Sequence, residues 1–484
     1  MTLLLGIDLG TSSVKAIVWD ADQNLLLGTG SEEYPMSHPH PNTAEQNPDH
    51  WWQATRTAVR RALDVCGRRD ISAIGFSGQM HGTVLVDSHG IPVHPAIIWA
   101  DQRASFAEIT RMVDQIGIPD AYHPISGTMP CLGFMGVTLY WLRHHAPEVL
   151  SAAHRVMLPK DYVRFKLTGA VGTEVSDAAS TGIFDIHTRD WRWDALAAWE
   201  IPAHIFPSIA ASSGIAGFVT PEAADALGIS AGIPVVYGAA DQPAQAIGSG
   251  LIAPGRMSIT IGSGGQIFAP VRAGLGERVK TDIRVMVFNH AVPDTYYAEG
   301  AILSAGLSLR WLRGIVGLDA YETLSDEASH VPPGSEGLTF IPRLIGERNP
   351  WDAQHAAPGG FSGLKLHHTR GHLARAIMEG VAYAIRDQVE TITAITGKPH
   401  TIFASGGALA APVWRGILAD VLGMPLTQAT LHEQAGIGAA ILAGVGIGYW
   451  KTFDEACTRA VHADTHLTEP DSERAAFYRA VVLR

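Results

Sequence analysis

A strand, a turn of small residues and a returning strand open each half of the chain, and this repeat constrains the fold most. Leu3–Asp8 is apolar and β-prone, Leu9-Gly10-Thr11-Ser12-Ser13 is a turn cluster, and Val14–Asp20 is a second apolar run. Met257-Ser258-Ile259-Thr260-Ile261, then Gly262-Ser263-Gly264-Gly265, then Gln266-Ile267-Phe268-Ala269 repeat the arrangement. Apolar runs bounded by Gly, Ser and Asn read as strands and hairpin turns. The echo predicts two related α/β domains that face one cleft, each lining it with a polar hairpin. Around these units, Trp51–Val65 reads as helix and Ile71–Phe76 as a buried strand. Leu373, Ile377, Val381, Ile385 and Val389 recur at the spacing of one helix face. Ile402-Phe403-Ala404 is a short strand, and Val413–Leu422 is a helix that ends at Gly423. The Gly436-Ile437-Gly438 and Gly444–Gly448 stretches read as helix packing and loop. A boundary is expected around Gly248-Ser249-Gly250 and Pro254-Gly255, giving domains 1–247 and 248–484.

Composition narrows the function classes. The 484 residues are 46% apolar and 17% charged, enough to bury real cores. The formal charge of −12, with no dense Lys/Arg run, offers no general attraction to nucleic acid or anionic lipid. An anionic cosubstrate needs local help from backbone amides and a bound cation. Cys66, Cys131 and Cys457 are scattered and lack zinc-ligand spacing, as in a reducing compartment. No basic stretch precedes an apolar one at the start, and the weakly polar run Gly436–Trp450 is too short to span a bilayer. A soluble cytoplasmic chain without membrane or nucleic-acid partners is expected.

Six segments can carry chemistry. In Gly6–Lys15 a carboxylate, Asp8, ends a strand and a hydroxyl-rich turn follows. The turn amides and hydroxyls of Gly10, Thr11, Ser12 and Ser13 can meet phosphate oxygens, and Asp8 can hold Mg2+ directly or through water. An ordinary polar hairpin with Asp8 as turn acceptor is the other reading. Gly262, Ser263 and Gly264 offer the same turn without a carboxylate. Ser405-Gly406-Gly407-Ala408 is flat backbone between a strand and a helix, against which a base or ribose could lie. In Pro234–Pro243 a buried strand runs into tiny residues and then Asp241-Gln242. Asp241 can accept a hydroxyl proton as an alcohol attacks phosphorus, or it can simply start a helix. Gln79-Met80-His81 after the strand Ile71–Phe76, and Trp99, Asp101 and Arg103, suit polyol binding. A satisfied loop histidine and a loop-steadying ion pair remain open for these two. No G-x-x-x-x-G-K-[ST] or protein-kinase signature is present.

Taken together, these stretches resemble the FGGY family of carbohydrate kinases over almost the whole chain. Their order and spacing are more specific than any one of them. Gly359–Leu364 running into His372–Glu379 is similar to a family signature, and Glu299-Gly300 through Gly306 to Arg310-Trp311 resembles the segment near the nucleotide base. His40-Pro41, Glu45-Gln46-Asn47-Pro48, Trp51-Trp52, Gln79-Met80-His81 and Leu158-Pro159-Lys160-Asp161-Tyr162 resemble the xylulokinase branch. The resemblance implies an α/β fold of two ribonuclease-H-like domains of the actin/hexokinase type, flanking a central catalytic cleft. It implies ATP and Mg2+ as cofactors and D-xylulose as acceptor. Asp241 is then the general base, and Asp8 and Asp241 serve the metal. Gly10, Thr11, Ser12, Ser13, Lys15, Gly262, Ser263, Gly264, Gly306, Arg310, Gly406, Gly407 and Ala408 serve the nucleotide. Gln79, Met80, His81, Trp99, Asp101, Arg103, Asp241 and Gln242 serve the sugar. The likeness leaves a homodimer open.

Two positions depart from that branch. Gln242 follows the aspartate where xylulokinases usually have Asn, and Ser263-Gly264 replaces a Thr-Ser pair. Gln242 keeps ribulose, a deoxy-pentulose, glycerol and erythritol as alternative acceptors. A non-enzymatic ATP-binding protein of the actin-like fold is the competing reading from another class.

Overall fold

The computed structural model describes residues 2–117, 119–346, 358–430, 433–461 and 464–480. By contacts the chain forms two compact units. Unit 1 comprises Met1–Ile252, Phe288–Thr295 and Leu431–His462; unit 2 comprises Ala253–Val287, Tyr296–Thr430 and Ala463–Arg484.

Unit 1 is built on a seven-stranded sheet. Its strands are β1 (Leu3–Leu9), β2 (Ser13–Asp20), β3 (Leu25–Glu33), β4 (Ile71–Gly78), β5 (Ile215–Phe218), β6 (Pro234–Val236) and β7 (Ala239–Ala240). They run in the order β5-β6-β4-β1-β2-β3, with β7 also on β4. β1, β2 and β3 form an antiparallel meander, whereas β4 pairs parallel to β1 and carries β6 and β7 parallel to itself. β1 is covered on both faces, which is why Leu3, Leu4, Leu5, Ile7 and Leu9 are all fully buried. On one face lies α1 (Pro48–Cys66), capped by the Asn47 side chain and ended by Gly67 in the left-handed region. On the other lies a helix from the far end of the sequence, Gln434–Gly446. It approaches so closely that a Cβ on Gly6 would sit 2.1 Å from Gly436 O, and one on Gly75 1.8 Å from Ala439 O. Between these come α2 (Pro159–Thr168), the short α3 (Val175–Ala179) and α4 (Asp241–Gly248).

A second seven-stranded sheet belongs to unit 2 except for Phe288 and Asn289: β8 (Arg256–Ile261), β9 (Gly265–Val271), β10 (Met286–Asn289), β11 (Tyr296–Ile302), β12 (Thr401–Ser405), β13 (Leu426–Thr430) and β14 (Asp464–Thr468). Its order is β10-β11-β9-β8-β12-β13-β14. β8 pairs antiparallel to β9 and parallel to β12, just as β1 pairs with β2 and β4. The sequence echo is thus a true repeat of local topology. Helices α5 (Gly306–Ile315), α6 (Arg370–Thr396) and α7 (Pro412–Leu422) complete this unit, and the returning helix Gln434–Gly446 of unit 1 is α8. Among the described residues no helix is long and apolar enough to cross a membrane.

Candidate active site

In unit 1 the parallel strands β1, β4 and β7 end side by side. Asp8 is level with Ser77 and Leu9 with Gly78, while Ser77 is level with Ala239 and Gly78 with Ala240. The residues that leave these ends are the turn at Gly10, the segment Gln79-Met80-His81, and Asp241. The carboxyl ends of parallel strands are where open α/β sheets bind ligands, because the loops and helix starts converge there. Gly238 makes the arrangement possible: at φ +86, a Cβ would meet Phe76 O at 2.5 Å, so only glycine lets the chain bend from β6 onto β4. Asp241 is then the first residue of α4, and Ala240, the preceding cap position, makes no side-chain cap bond. A carboxylate at that end is favoured by the helix dipole. Asp241 and Gln242 are both partly exposed.

The first turn is held from behind. Gly10 N–H bonds Ser13 O at 3.0 Å, Tyr34 N–H bonds Ser12 O at 3.1 Å, and the Tyr34 hydroxyl donates to Gly10 O. Gln46 Nε2 donates to Thr11 O at 2.7 Å and Trp99 Nε1 to Thr11 Oγ1 at 2.9 Å. Asp8 accepts from the Ser77 hydroxyl at 2.7 Å. Burial pushes its carboxyl up; the Ser77 bond and the cation of Lys15 oppose that, and Glu433 adds to it. Lys15 sits directly across the hairpin from Asp8 and reaches Glu433 Oε1 at 3.4 Å.

Gln79, Met80 and His81 are all buried. Gln79 N–H bonds Leu9 O at 2.8 Å, and its Nε2 donates to Gln46 Oε1 at 3.0 Å. Its Oε1 is buried without a hydrogen-bond partner, the state of an acceptor awaiting a donor. His81 has φ +72, stacks on Phe134 with centroids 4.0 Å apart, and donates from Nδ1 to Ser180 O at 2.6 Å. Asp101 and Arg103 take the loop-steadying role that the sequence left open. Arg103 grips both Asp101 oxygens at 2.8 and 2.9 Å and also bonds Glu45, and Asp101 accepts from Ala44 N–H at 2.7 Å. Trp99, 37% exposed, touches the first turn through Thr11.

In unit 2 three glycine segments meet at the end of β8. Gly306 N–H bonds Gly262 O at 3.1 Å and Leu307 N–H bonds Ser263 O at 2.9 Å, which lays the start of α5 against the turn at Gly264. Gly406, at φ +97, lies so close to β8 that a Cβ would be 2.4 Å from Ile261 O. Thr260 and Ser405 join the strands through their hydroxyls at 2.8 Å. Gly407 opens the 3-10 turn Gly407–Ala410, which contains Ala408, and a Cβ there would meet nothing within 4 Å. The result is a flat backbone surface with open space above it. Arg310 stands exposed one turn along α5, beside Trp311.

The chain matches the FGGY family of carbohydrate kinases, N-terminal domain, over residues 3–248, and its C-terminal domain over 273–447. It belongs to the FGGY family of carbohydrate kinases. Similar proteins include the xylulose kinase of Escherichia coli K12, 34% identical over 99% of this chain and 96% of that one. The gluconokinase of Bacillus subtilis is 29% identical, covering 99% and 94%. The crystal structure of xylulose kinase from Rhodospirillum rubrum superimposes with a TM-score of 0.89 at 30% identity, covering 99% and 96%. This FGGY kinase also carries supporting residues whose roles are not legible in the sequence: Tyr34, Gln46 and Ser77 behind the site, and a buried charge cluster around Lys160. Ser and Tyr hydroxyls carry no spacing signal of their own. The cluster left a trace, two charges inside the otherwise uncharged run Leu158–Val163.

Proposed function

We propose that this chain transfers the γ-phosphoryl group of ATP to a hydroxyl of D-xylulose, giving D-xylulose 5-phosphate and ADP. The observation that carries the reading is the register of β1, β4 and β7, which sets Asp8, Gln79 and Asp241 at one edge. Asp241 accepts the proton of the attacking hydroxyl, and Gln79, Met80, His81 and Gln242 contact the acceptor. The unfilled Gln79 Oε1 suits a sugar hydroxyl donor. The glycine surface of unit 2, with Arg310, receives the nucleotide; in unit 1, the turn after Asp8 offers backbone groups and hydroxyls to phosphate oxygens.

Mg2+ fits Asp8: a partly buried carboxylate whose pKa desolvation raises gains from a hard cation. Asp8 and Asp241 would hold it, and it would neutralise phosphate charge. The xylulose kinases among the similar proteins support the ketose as acceptor. A second reading keeps the chemistry and changes the acceptor. It is favoured by Gln242, one methylene longer than the usual Asn, and by the similarity to a gluconokinase. A site built on hydroxyl hydrogen bonds discriminates strongly when one partner moves.

The test is ADP release with MgATP against D-xylulose, D-ribulose, aldopentoses, glycerol, erythritol and gluconate. Preference for D-xylulose supports the first reading. Turnover of another acceptor alone replaces the substrate and keeps Asp241 in its role. No turnover on any acceptor overturns both.

A further inference from the structure

Behind the site lies a cluster of five charged side chains, each at most 1% exposed: Lys160, Asp161, Arg164, Glu174 and Asp177. Lys160 Nζ lies 2.9 Å from Asp161, 3.0 Å from Asp177 and 3.4 Å from Glu174. Arg164 Nη1 lies 3.0 Å from Asp161. Burial works against the Lys160 charge, but the three carboxylates outweigh it and hold the ammonium above its usual range. Three carboxyl groups face two cations; burial, with Asp161 and Glu174 beside it, pushes the Asp177 carboxyl up, and Lys160 only partly opposes this. Packed apolar residues are often as stable as such buried ions, so stability alone is a weak reason for them.

What the cluster holds is α3. Glu174 caps that helix, accepting from Ser176 N–H at 2.8 Å and Asp177 N–H at 2.9 Å. Asp177 belongs to the helix itself. At one end of α3, the Ser176 hydroxyl oxygen accepts from Ala240 N–H at 3.1 Å, immediately before Asp241. At the other end, Ser180 O accepts from His81 Nδ1 at 2.6 Å. The helix and the cap residue that ends it, Ser180, therefore touch both the chain entering Asp241 and the ring of His81.

We propose that Lys160 is a positioning residue for the transfer step: its ammonium locks α3, and α3 sets His81 and Asp241 in one frame. This rests on the reading of Asp241 as general base and His81 as an acceptor contact. Small displacements of a reacting group are expensive in rate, and a rigid strut between base and acceptor contact removes them. Lys160 touches neither reacting group, and its effect passes through Asp177 and Glu174.

Lys160→Met would leave three buried carboxylates against one guanidinium and can fail to fold, so two gentler variants carry the test. Asp177→Asn replaces a carboxyl whose ionisation burial already opposes, while loosening Lys160 from α3. It should keep or raise the melting temperature, yet lower kcat about tenfold and raise acceptor KM. A purely structural cluster predicts unchanged kcat and KM in the folded variant, and that result overturns the proposal. Ser176→Ala removes the acceptor for Ala240 N–H and the hydroxyl that donates to Glu174 at 2.9 Å, but leaves every charge of the cluster in place. It should lower kcat about tenfold with acceptor and ATP KM within about twofold of the parent, and an unchanged kcat overturns that arm. Imidazole NMR of the wild type and Asp177→Asn gives a readout independent of turnover. The proton on His81 Nδ1 should shift in the variant, and an identical His81 signal refutes the coupling. A wild type inert toward every acceptor would instead sink the functional reading, and the His81 signal would still decide the strut.

Discussion

Asp241 carries the sharpest prediction at the scale of single residues. Its position as first residue of α4 aims the carboxylate from a rigid element, and Ala240, not Asp241, occupies the cap position. If it takes the acceptor proton, Asp241→Ala should retain acceptor binding within a few-fold by calorimetry. It should lose roughly 10²–10⁴ in kcat, the range of a general base. Near-normal turnover would remove the assignment. Asp8, Gln79 and Asp241 were each legible in the sequence because each follows an apolar run that had to be a strand. What was not legible was their register. Nothing in the spacing of 8, 77 and 239 says that these residues lie level on adjacent strands. Asp101 and Arg103 show the opposite limit. A charged pair next to an aromatic ring reads equally as a ligand site or a brace, and only the bond to Ala44 N–H and the grip of Arg103 on both oxygens favour the brace.

Two predictions belong to elements. α8 lies against β1 and β4 through glycines, so Gly75→Ala drives a methyl toward Ala439 O, which lies 1.8 Å from its ideal position. Backbone cannot swing aside as a side chain can, and the cost should reach the upper part of the roughly 1–3 kcal/mol seen for overpacking. Urea midpoints measure it. Gly407→Ala faces open space and should leave the midpoint unchanged while raising ATP KM. Equal midpoints for Gly75→Ala and wild type would contradict the close packing. The second concerns the segment Phe288–Thr295. His290 Nε2 donates to Leu251 O at 3.1 Å and its Nδ1 accepts from Val292 N–H at 3.1 Å, so the ring is neutral. Burial pushes its pKa down to about 4, against 6.5 for a free side chain; the bond to Leu251 only partly opposes this. Between those values the unfolded chain binds a proton that the folded chain refuses. Stability from this site is therefore intact above pH 6.5 and falls as pH drops toward 4, by about 3 kcal/mol in all. Denaturation at pH 7 and pH 4.5 should show a smaller loss for His290→Gln than for wild type. Equal losses would assign the acid sensitivity to other groups.

At the scale of the whole molecule, the repeat of hairpin and parallel strand was readable in the sequence because it is local. The chain's return to unit 1 was not, since a glycine-rich helix such as α8 carries no mark of which sheet it covers. The residues it buries make that return a folding requirement. One core cluster of unit 1 combines Leu4, Ile17, Trp19, Ala73, Val236 and Ile247 from the first part of the chain with Ile441, Leu442, Trp450 and Phe453 from the last. Without the later residues the first set would face water as one contiguous apolar surface, a recipe for aggregation. The glycines at 6 and 75 would also line a face with no helix upon it. A fragment of residues 1–252 should therefore be aggregated, or soluble without a cooperative unfolding transition. Joining residues 431–462 to it through a long flexible linker should recover soluble protein with a thermal transition by circular dichroism. If residues 1–252 alone unfold cooperatively from a soluble state, the returning helix is an accessory to this unit and not part of its core.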